Sequence, residues 1–443
     1  MRQYFILTIV NEDVVTTLTQ PKGPISINYS DDSFSDNALH FWSIEDSTSW
    51  RKLSGVDKVK ACQIPSDSLK TMSTENLAAV CARYPLYFEF MVSNNEVKSI
   101  SFMINSFNGL KELASREDGA MSLLELYSSI KVLDDSSVKD VNSLSTPLRL
   151  RYFELLLTNK SFLSQLNETQ KELLFSSLKQ KAIEKKKSPS IYRAYVSVDL
   201  PISERTVTMS DYYIYVYTPF RKLVNALVYE EEFSPFEKFL HTAECLTNYD
   251  VILIDSASRL YNCHCYAWNN NDPECWIINS GTNLSQYWTN DLYSSYSWGN
   301  NYGEIKVYYS GDHSAVANYG TYNYTSKWGS GPLVRHAPNE VPAEYTTTRT
   351  YYYTPSIIGP EYVSLGNTYT YRIAPHVGGY PYTNAAYNWT FEDEDKGGYI
   401  VSAAADSVRI FFNQGGTFQI SCEIENYIGD VVHTAFFEPL QDL

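Results

Sequence analysis

The chain has no run approaching the ~20 consecutive apolar residues that a membrane-spanning helix requires. Its longest early apolar stretch, Tyr4 to Val10, is stopped by Asn11, Glu12 and Asp13. A signal peptide needs a longer apolar region and a small-residue cleavage site, so none is expected in these first residues. Basic charge is also scarce. Lys and Arg number 35 against 51 Asp and Glu, leaving a formal net charge of −16. A chain this acidic is repelled by phosphate backbones, and no basic stripe with interleaved aromatics offsets the charge, so nucleic acid is not an expected partner. Paired CxxC units are missing, which removes the usual structural zinc site. The seven cysteines are Cys62, Cys81, Cys245, Cys263, Cys265, Cys275 and Cys422. An odd number without a scaffold spacing leaves at least one thiol unpaired within a monomer. No cofactor-binding motif is evident.

What the chain does have is tyrosine, 37 residues of it, and a hydrophobic fraction of 44%. Its 443 residues suggest two to four domains rather than one core. Residues 1–66 are mixed and carry no firm reading. Residues 67–187 read as a helical domain. In STENLAAVCARYP, Leu77, Val80, Cys81 and Tyr84 fall at i, i+3, i+4 and i+7 on one helix face, with Ser73 or Thr74 as N-cap and Pro85 closing the helix. Later runs such as LRLRYFELLLTNK repeat the pattern, and their Leu, Met and Phe content suits a bundle core. The run Glu184–Lys187 followed by Ser188–Pro189–Ser190 reads as a solvated helix end and a linker.

The texture then becomes strand-like, in YRAYVSVDL, DYYIYVYTPF and YDVILID, with a helix in PFEKFLHTAECL. From about 355 onward, short alternating strands with frequent turn signals describe a small β-sandwich of immunoglobulin-like length, with Trp389 and Cys422 in its core. The expected fold class is therefore multidomain: a helical N-terminal bundle, an α+β central domain over 190–350, and an all-β sandwich over 355–443.

The candidate chemistry lies in the central domain. A thiol attacks as its thiolate, so it needs a base and a positive electrostatic setting. Cys263 follows a strand and a polar turn and opens the apolar stretch Tyr266–Ala267–Trp268. Cys265 lies about 200° further round a helix, so the two thiols cannot share a cleft, and Cys263 is the expected nucleophile. His313 sits fifty residues on, at the start of the strand-like run HSAVA. Period-two alternation puts it on one face with Ala315 and Ala317, a face small enough to lie under the Cys263 helix. The next strand, TYNYTSKW, would supply a third group from Ser326 or Lys327, and His336 is another candidate. A metal site built from Cys263, His264, Cys265 and His313 would need adjacent ligands that zinc geometry disfavours. Both members of the pair also have an ordinary reading, as a buried inert thiol and a hydrogen-bonded structural histidine. The rings of Trp268, Trp276, Tyr287, Trp288 and Trp298 could line a groove or simply form core.

The runs YNCHCYAW, CWIINSGTNLSQYWTN, DHSAV and SKWGSGPLVRHAP together resemble a domain of Bacteroidota surface and secreted proteins. That domain is itself similar to the CHAP and NlpC-type cysteine peptidases of the papain-like superfamily. The resemblance covers about residues 190–345 and implies hydrolysis of peptide or amide bonds, typically in peptidoglycan. It implies Cys263 as nucleophile and His313 as base, and Ser326, Lys327 or His336 would then orient the imidazole. Asn262, Trp268, Trp288 and Trp328 would be substrate contacts. The family usually has a smaller residue where Cys265 stands, which leaves room for a local disulfide, with Cys275 as its candidate partner, or for redox sensitivity. The N-terminal helices resemble a module that precedes effector domains in such surface proteins. The tail resembles immunoglobulin-like or PKD-type modules. These last two resemblances imply an extracytoplasmic address, with any export signal outside this chain. Two rival functions stay open: a surface adhesin or glycan-binding protein with a degenerate site, and a Cys-dependent acyltransferase of transglutaminase-like chemistry.

Overall fold

The computed structural model describes residues 47–134, 145–194, 211–289, 291–295, 304–318, 323–374, 385–392, 397–416 and 418–441. Over these it is a mixed helical and antiparallel-sheet protein with several sheets. The early strand reading of YRAYVSVDL falls largely outside the described residues, as does Trp298.

Helices begin at Ser47–Lys52 and Gly55–Ala61, within the segment for which the sequence carried no reading. The amphipathic run at 74–84 forms the helix Thr74–Ala82, capped by the Ser73 hydroxyl, which accepts the Asn76 N–H at 3.3 Å. Leu77, Val80, Cys81 and Tyr84 are all buried, and the helix stops before Pro85. The helix Thr146–Thr158 buries Leu148, Leu150, Tyr152, Phe153 and Leu155 through Leu157. Burial on all sides places it centrally among the helices. Ser234 and Glu237 form a reciprocal capping box on the helix Pro235–Asn248, which the proline at its first position also favours.

Six antiparallel strands form the central sheet, in the spatial order Ile252–Asp255, Leu333–His336, Tyr324–Lys327, His313–Asn318, Glu304–Tyr309 and Arg349–Tyr353. Cross-strand partners fix which side chains share a face. Tyr309 opposes His313, Val307 opposes Ala315, Ala317 opposes Tyr324, and Tyr324 opposes His336. Tyr309, Val307, Ala315, Ala317, Tyr324 and Val334 join one continuous apolar core with Leu77, Phe88, Met91, Tyr152 and Leu156 of the helical region. The helices therefore cover this face of the sheet directly.

The short helix Cys263–Asn269 lies on the opposite face, where Tyr308, Ser314, Val316 and Lys327 point. Its residues Cys265, Ala267 and Trp268 belong to a second apolar core. That core also takes in Val216 and Val224 of the hairpin Tyr212–Tyr217/Leu223–Val228.

The C-terminal region has two main antiparallel sheets. One runs Ile357–Ile358, Asn367–Ile373, Ser407–Phe412, Gly398–Ala404; the other runs Ala386–Glu392, Gln419–Glu425, Val431–Phe437. They face each other across Tyr371, Ile410, Phe412, Phe391, Ile420, Cys422 and Ile424, all buried. Phe391 meets Phe412 edge-on at 5.7 Å between centroids. Trp389, expected in this core, is only partly buried, and its indole N–H donates to the Ala404 carbonyl at 3.2 Å. Its strand exposes every other residue, and Cys422, directly opposite it, is buried.

Candidate active site

Cys263 is the first residue of its helix, and the helix is set by Asn262. The Asn262 side-chain oxygen accepts the N–H of Cys265 at 3.0 Å and that of Ile277 at 3.2 Å, while its amide donates to the Ile277 carbonyl at 3.0 Å. Asn262 is 1% exposed. It is thus a cap and a strand anchor, and its expected role as a substrate contact is corrected: every polar atom of its side chain is used internally.

The Cys263 sulfur is fully buried. The amide of Asn94 covers it, donating from Nδ2 to the sulfur at 3.1 Å, with Oδ1 at 3.5 Å. The same Nδ2 donates to the Asp312 carbonyl at 2.6 Å and lies 3.3 Å from Nε2 of His264. His264 Nε2 is 3.0 Å from the Asp312 carboxylate, and Nδ1 is 2.8 Å from the Ser314 hydroxyl. Asn279 adds a second donor to the Asp312 carboxylate at 2.6 Å and reaches the Tyr308 hydroxyl at 3.0 Å. Burial alone would drive the His264 imidazole neutral. The neighbouring Cys263 sulfur and the Asp312 carboxylate outweigh it and push the pKa up to about 10. Burial likewise opposes the Asp312 charge, but the hydrogen bond and charge of His264 and the Asn279 amide hold the carboxyl below its usual value. The Asp312 side chain keeps 34% of its exposure, so this end of the cluster opens to solvent.

His313 is not part of this cluster. Strand alternation does group it with Ala315 and Ala317, but that face meets the helical core, not the Cys263 helix. Its ring stacks on Tyr345, with centroids 3.9 Å apart and planes 4° from parallel. Neither ring nitrogen has a hydrogen-bond partner, and burial, with His336 and His264 nearby, holds the pKa well below the usual histidine value. His313, the expected base, thus lies outside the Cys263 cluster, and the imidazole within it is that of His264. A one-residue change of parity along the strand moves a side chain through the sheet.

The three candidates for an orienting group are corrected for the same reason or a related one. Ser326 and His336 lie on the His313 face. The His336 Nδ1–H donates to the Ala337 carbonyl at 2.8 Å, and Nε2 accepts from the Ser326 hydroxyl at 2.8 Å. Burial brings the His336 pKa down to about 4. The indole N–H of Trp328 donates to the Ser326 hydroxyl at 3.1 Å. Trp328 itself is fully buried against Tyr249, so it is core and not a substrate contact.

Lys327 does face the Cys263 helix, but its ammonium is bound to backbone carbonyls. Its ammonium donates to the carbonyls of Ser258, Gly329 and Gly331 at 2.7, 2.7 and 2.6 Å. Burial lowers its pKa to about 7. Three carbonyls at these distances match the three donors of an ammonium. Lys327 thereby ties the chain entering Cys263 to the turn at 328–332.

Trp268 is 3% exposed, gives its indole N–H to the Ser314 hydroxyl at 2.9 Å, and packs on Tyr287, Trp288, Tyr293 and Tyr352. It too is core, which corrects its expected substrate role. Trp288 stacks on Tyr352 at 4.6 Å and stays half-buried, so part of its ring still reaches the surface beside Tyr308.

Asn94 comes from a segment 169 residues before Cys263. The turn at 328–332 holds that segment. Both the N–H and the hydroxyl of Ser330 donate to the Met91 carbonyl, at 2.9 and 2.7 Å, and the Tyr345 hydroxyl donates to the Val92 carbonyl. Gly329 has φ +51°, and a Cβ there would come within 2.4 Å of the Ser93 carbonyl oxygen. Nothing in the sequence near Asn94 marks it as a site residue. His264 and Asp312, by contrast, sit next to the two residues the sequence singled out.

Among the described residues no three His, Cys, Asp or Glu side chains converge as a metal centre requires. Comparison with protein-family models, curated proteins and solved structures finds no match to this chain.

Proposed function

We propose that this protein is a cysteine-dependent hydrolase of amide or peptide bonds, with a papain-like central domain and an immunoglobulin-like C-terminal sandwich. The observation that carries the reading is the contact set around one sulfur: Cys263 beneath the Asn94 amide and beside His264, an imidazole whose pKa the sulfur and the Asp312 carboxylate together raise. The thiolate adds to the amide carbonyl, and the carbonyl electron pair moves onto oxygen. The Asn94 N–H, already 3.1 Å from the sulfur, is within reach of that oxyanion. His264 gives its proton to the leaving amine as the C–N bond breaks, leaving a thioester. It then takes a proton from the water that cleaves the thioester and returns the thiol. Ser314 at Nδ1 orients the ring, the task first assigned to Ser326, Lys327 or His336. Peptidoglycan is the proposed substrate, and a secreted or cell-surface location goes with it.

A second reading, a surface adhesin or glycan-binding protein, draws on a different observation. Cys263 has no exposed surface, while Tyr213, Tyr215 and Tyr217 form an exposed row on the strand Tyr212–Tyr217. An acyltransferase would use the same thiol.

Iodoacetamide labelling of the native protein near neutral pH, read by mass spectrometry, separates the first two. The hydrolase reading expects Cys263 to react faster than the buried Cys422. Equal rates, together with no loss on Cys263→Ala of product release from purified peptidoglycan, would sink it. Added amine diverting the product identifies a transferase.

A further inference from the structure

We infer that Cys265 and Cys275 form a structural disulfide that staples the Cys263 helix to the neighbouring sheet when the chain folds under oxidising conditions. The two sulfurs lie 3.1 Å apart, about 1 Å beyond a disulfide bond length. Both side chains are fully buried, in the same apolar core. Cys265 is in the first turn of the site helix, and Cys275 immediately precedes the strand Trp276–Ile277.

The backbone between them is already closed by other bonds. The Asn262 N–H donates to the Cys275 carbonyl at 3.3 Å, the Asn271 N–H to the Cys265 carbonyl at 3.4 Å, and Asn262 Oδ1 accepts from both Cys265 and Ile277. Joining the sulfurs therefore asks for a small side-chain adjustment and no change of fold. None of this depends on Cys263 being a nucleophile.

The chemistry is thiol–disulfide exchange with a small-molecule disulfide such as oxidised glutathione. One protein thiolate attacks a sulfur of the small disulfide, forming a mixed disulfide and releasing one small thiol. The second protein thiolate then attacks the mixed disulfide at the protein sulfur and releases the other. Two protein thiols and one disulfide become one protein disulfide and two small thiols. In the folded chain the hydrogen bond from Cys265, followed by burial, pushes the Cys275 thiol far up and keeps it protonated. Exchange is therefore slow once the core has closed. The bond forms as the chain folds and resists reduction afterwards, which makes it a staple and not a switch.

The test uses the full chain. It is refolded in a glutathione buffer of oxidising poise, denatured, alkylated with iodoacetamide and cleaved with a glutamyl endopeptidase. Cleavage after Glu274 separates Cys265 from Cys275. The expected result is a linked pair of peptides that dithiothreitol splits, with alkyl groups on Cys62, Cys81, Cys245, Cys263 and Cys422. Fragmentation of the linked species places the bridge on Cys265 and not on Cys263. The oxidised protein should melt about 2–5 °C above the reduced one, and Cys275→Ala should remove that difference. Alkylation of all seven thiols after oxidative refolding, or a bridge from Cys263 to Cys275, overturns the inference.

Discussion

The two faces of the six-stranded sheet treat histidine in opposite ways. On the face covered by the helices, His313 stacks on Tyr345 and His336 is bonded to neutral partners, and burial drives both toward the uncharged form. On the other face, His264 is just as buried, yet the Cys263 sulfur and the Asp312 carboxylate raise it to about 10. Burial is common to all three, so burial does not decide the charge. A neighbouring anion does.

The strongest way to break this comparison is to exchange the roles of the two faces. His264→Ala is expected to lower amide hydrolysis by ~10²–10⁴-fold, the range typical of losing a general acid–base group. His313→Phe, which keeps a ring against Tyr345, should stay within a few-fold of wild type in the same peptidoglycan assay. If His313→Phe is the dead variant and His264→Ala is active, the sheet face has been misassigned.

Backbone position is the next lever. Gly329→Ala places a Cβ against the Ser93 carbonyl at a left-handed φ and should cost about 1–3 kcal/mol in urea unfolding. It should also reduce activity by displacing Asn94, although Gly329 touches none of the reacting atoms.

The pH dependence of stability should carry opposite signs for the two faces. His264 has a folded value above its unfolded ~6.5. Its stabilisation is complete below ~6.5 and is lost as pH rises through about 10. His336 has a folded value of about 4, so the unfolded chain takes up the proton first. Stability therefore falls as pH drops from ~6.5 toward about 4, and His313 acts in the same direction. Urea titrations across pH should show His264→Gln flattening the alkaline limb and His336→Gln the acid limb. The same limb responding to both variants would contradict the assignment.

Ser314→Ala gives the smallest effect. It removes the partner of His264 Nδ1 and of the Trp268 indole, at a cost of about 1–2 kcal/mol, with a partial loss of activity. A change confined to stability would make Ser314 a core residue and nothing more.

Much of the architecture was legible. The helical period at Leu77, Val80, Cys81 and Tyr84 marked a real buried face, and the alternation in SVRIFF and QISCEIE marked strands of the C-terminal sheets. The candidate site was legible to within one residue at each of its two ends. Cys263 opens its helix, but the imidazole beside it is the next residue, and its carboxylate partner is Asp312, in the turn just before the strand that His313 begins. Alternation correctly groups His313 with Ala315 and Ala317, and it carries no information about which face a helix covers. The tryptophans misled because aromatic richness is the same signal for a groove and for a core, and Trp268 and Trp328 are core.

The sequence by itself determined the local elements, the thiol at the head of a short helix, and the pairing of residues by face along each strand. These depend on periods and caps that operate over a few residues. The tertiary structure alone decided which face the Cys263 helix covers, and so which histidine carries charge. It alone brought Asn94 across 169 residues onto the sulfur, by way of a turn whose glycine lets two backbones touch. Contacts of that range are set by how cores close, and no local pattern encodes them.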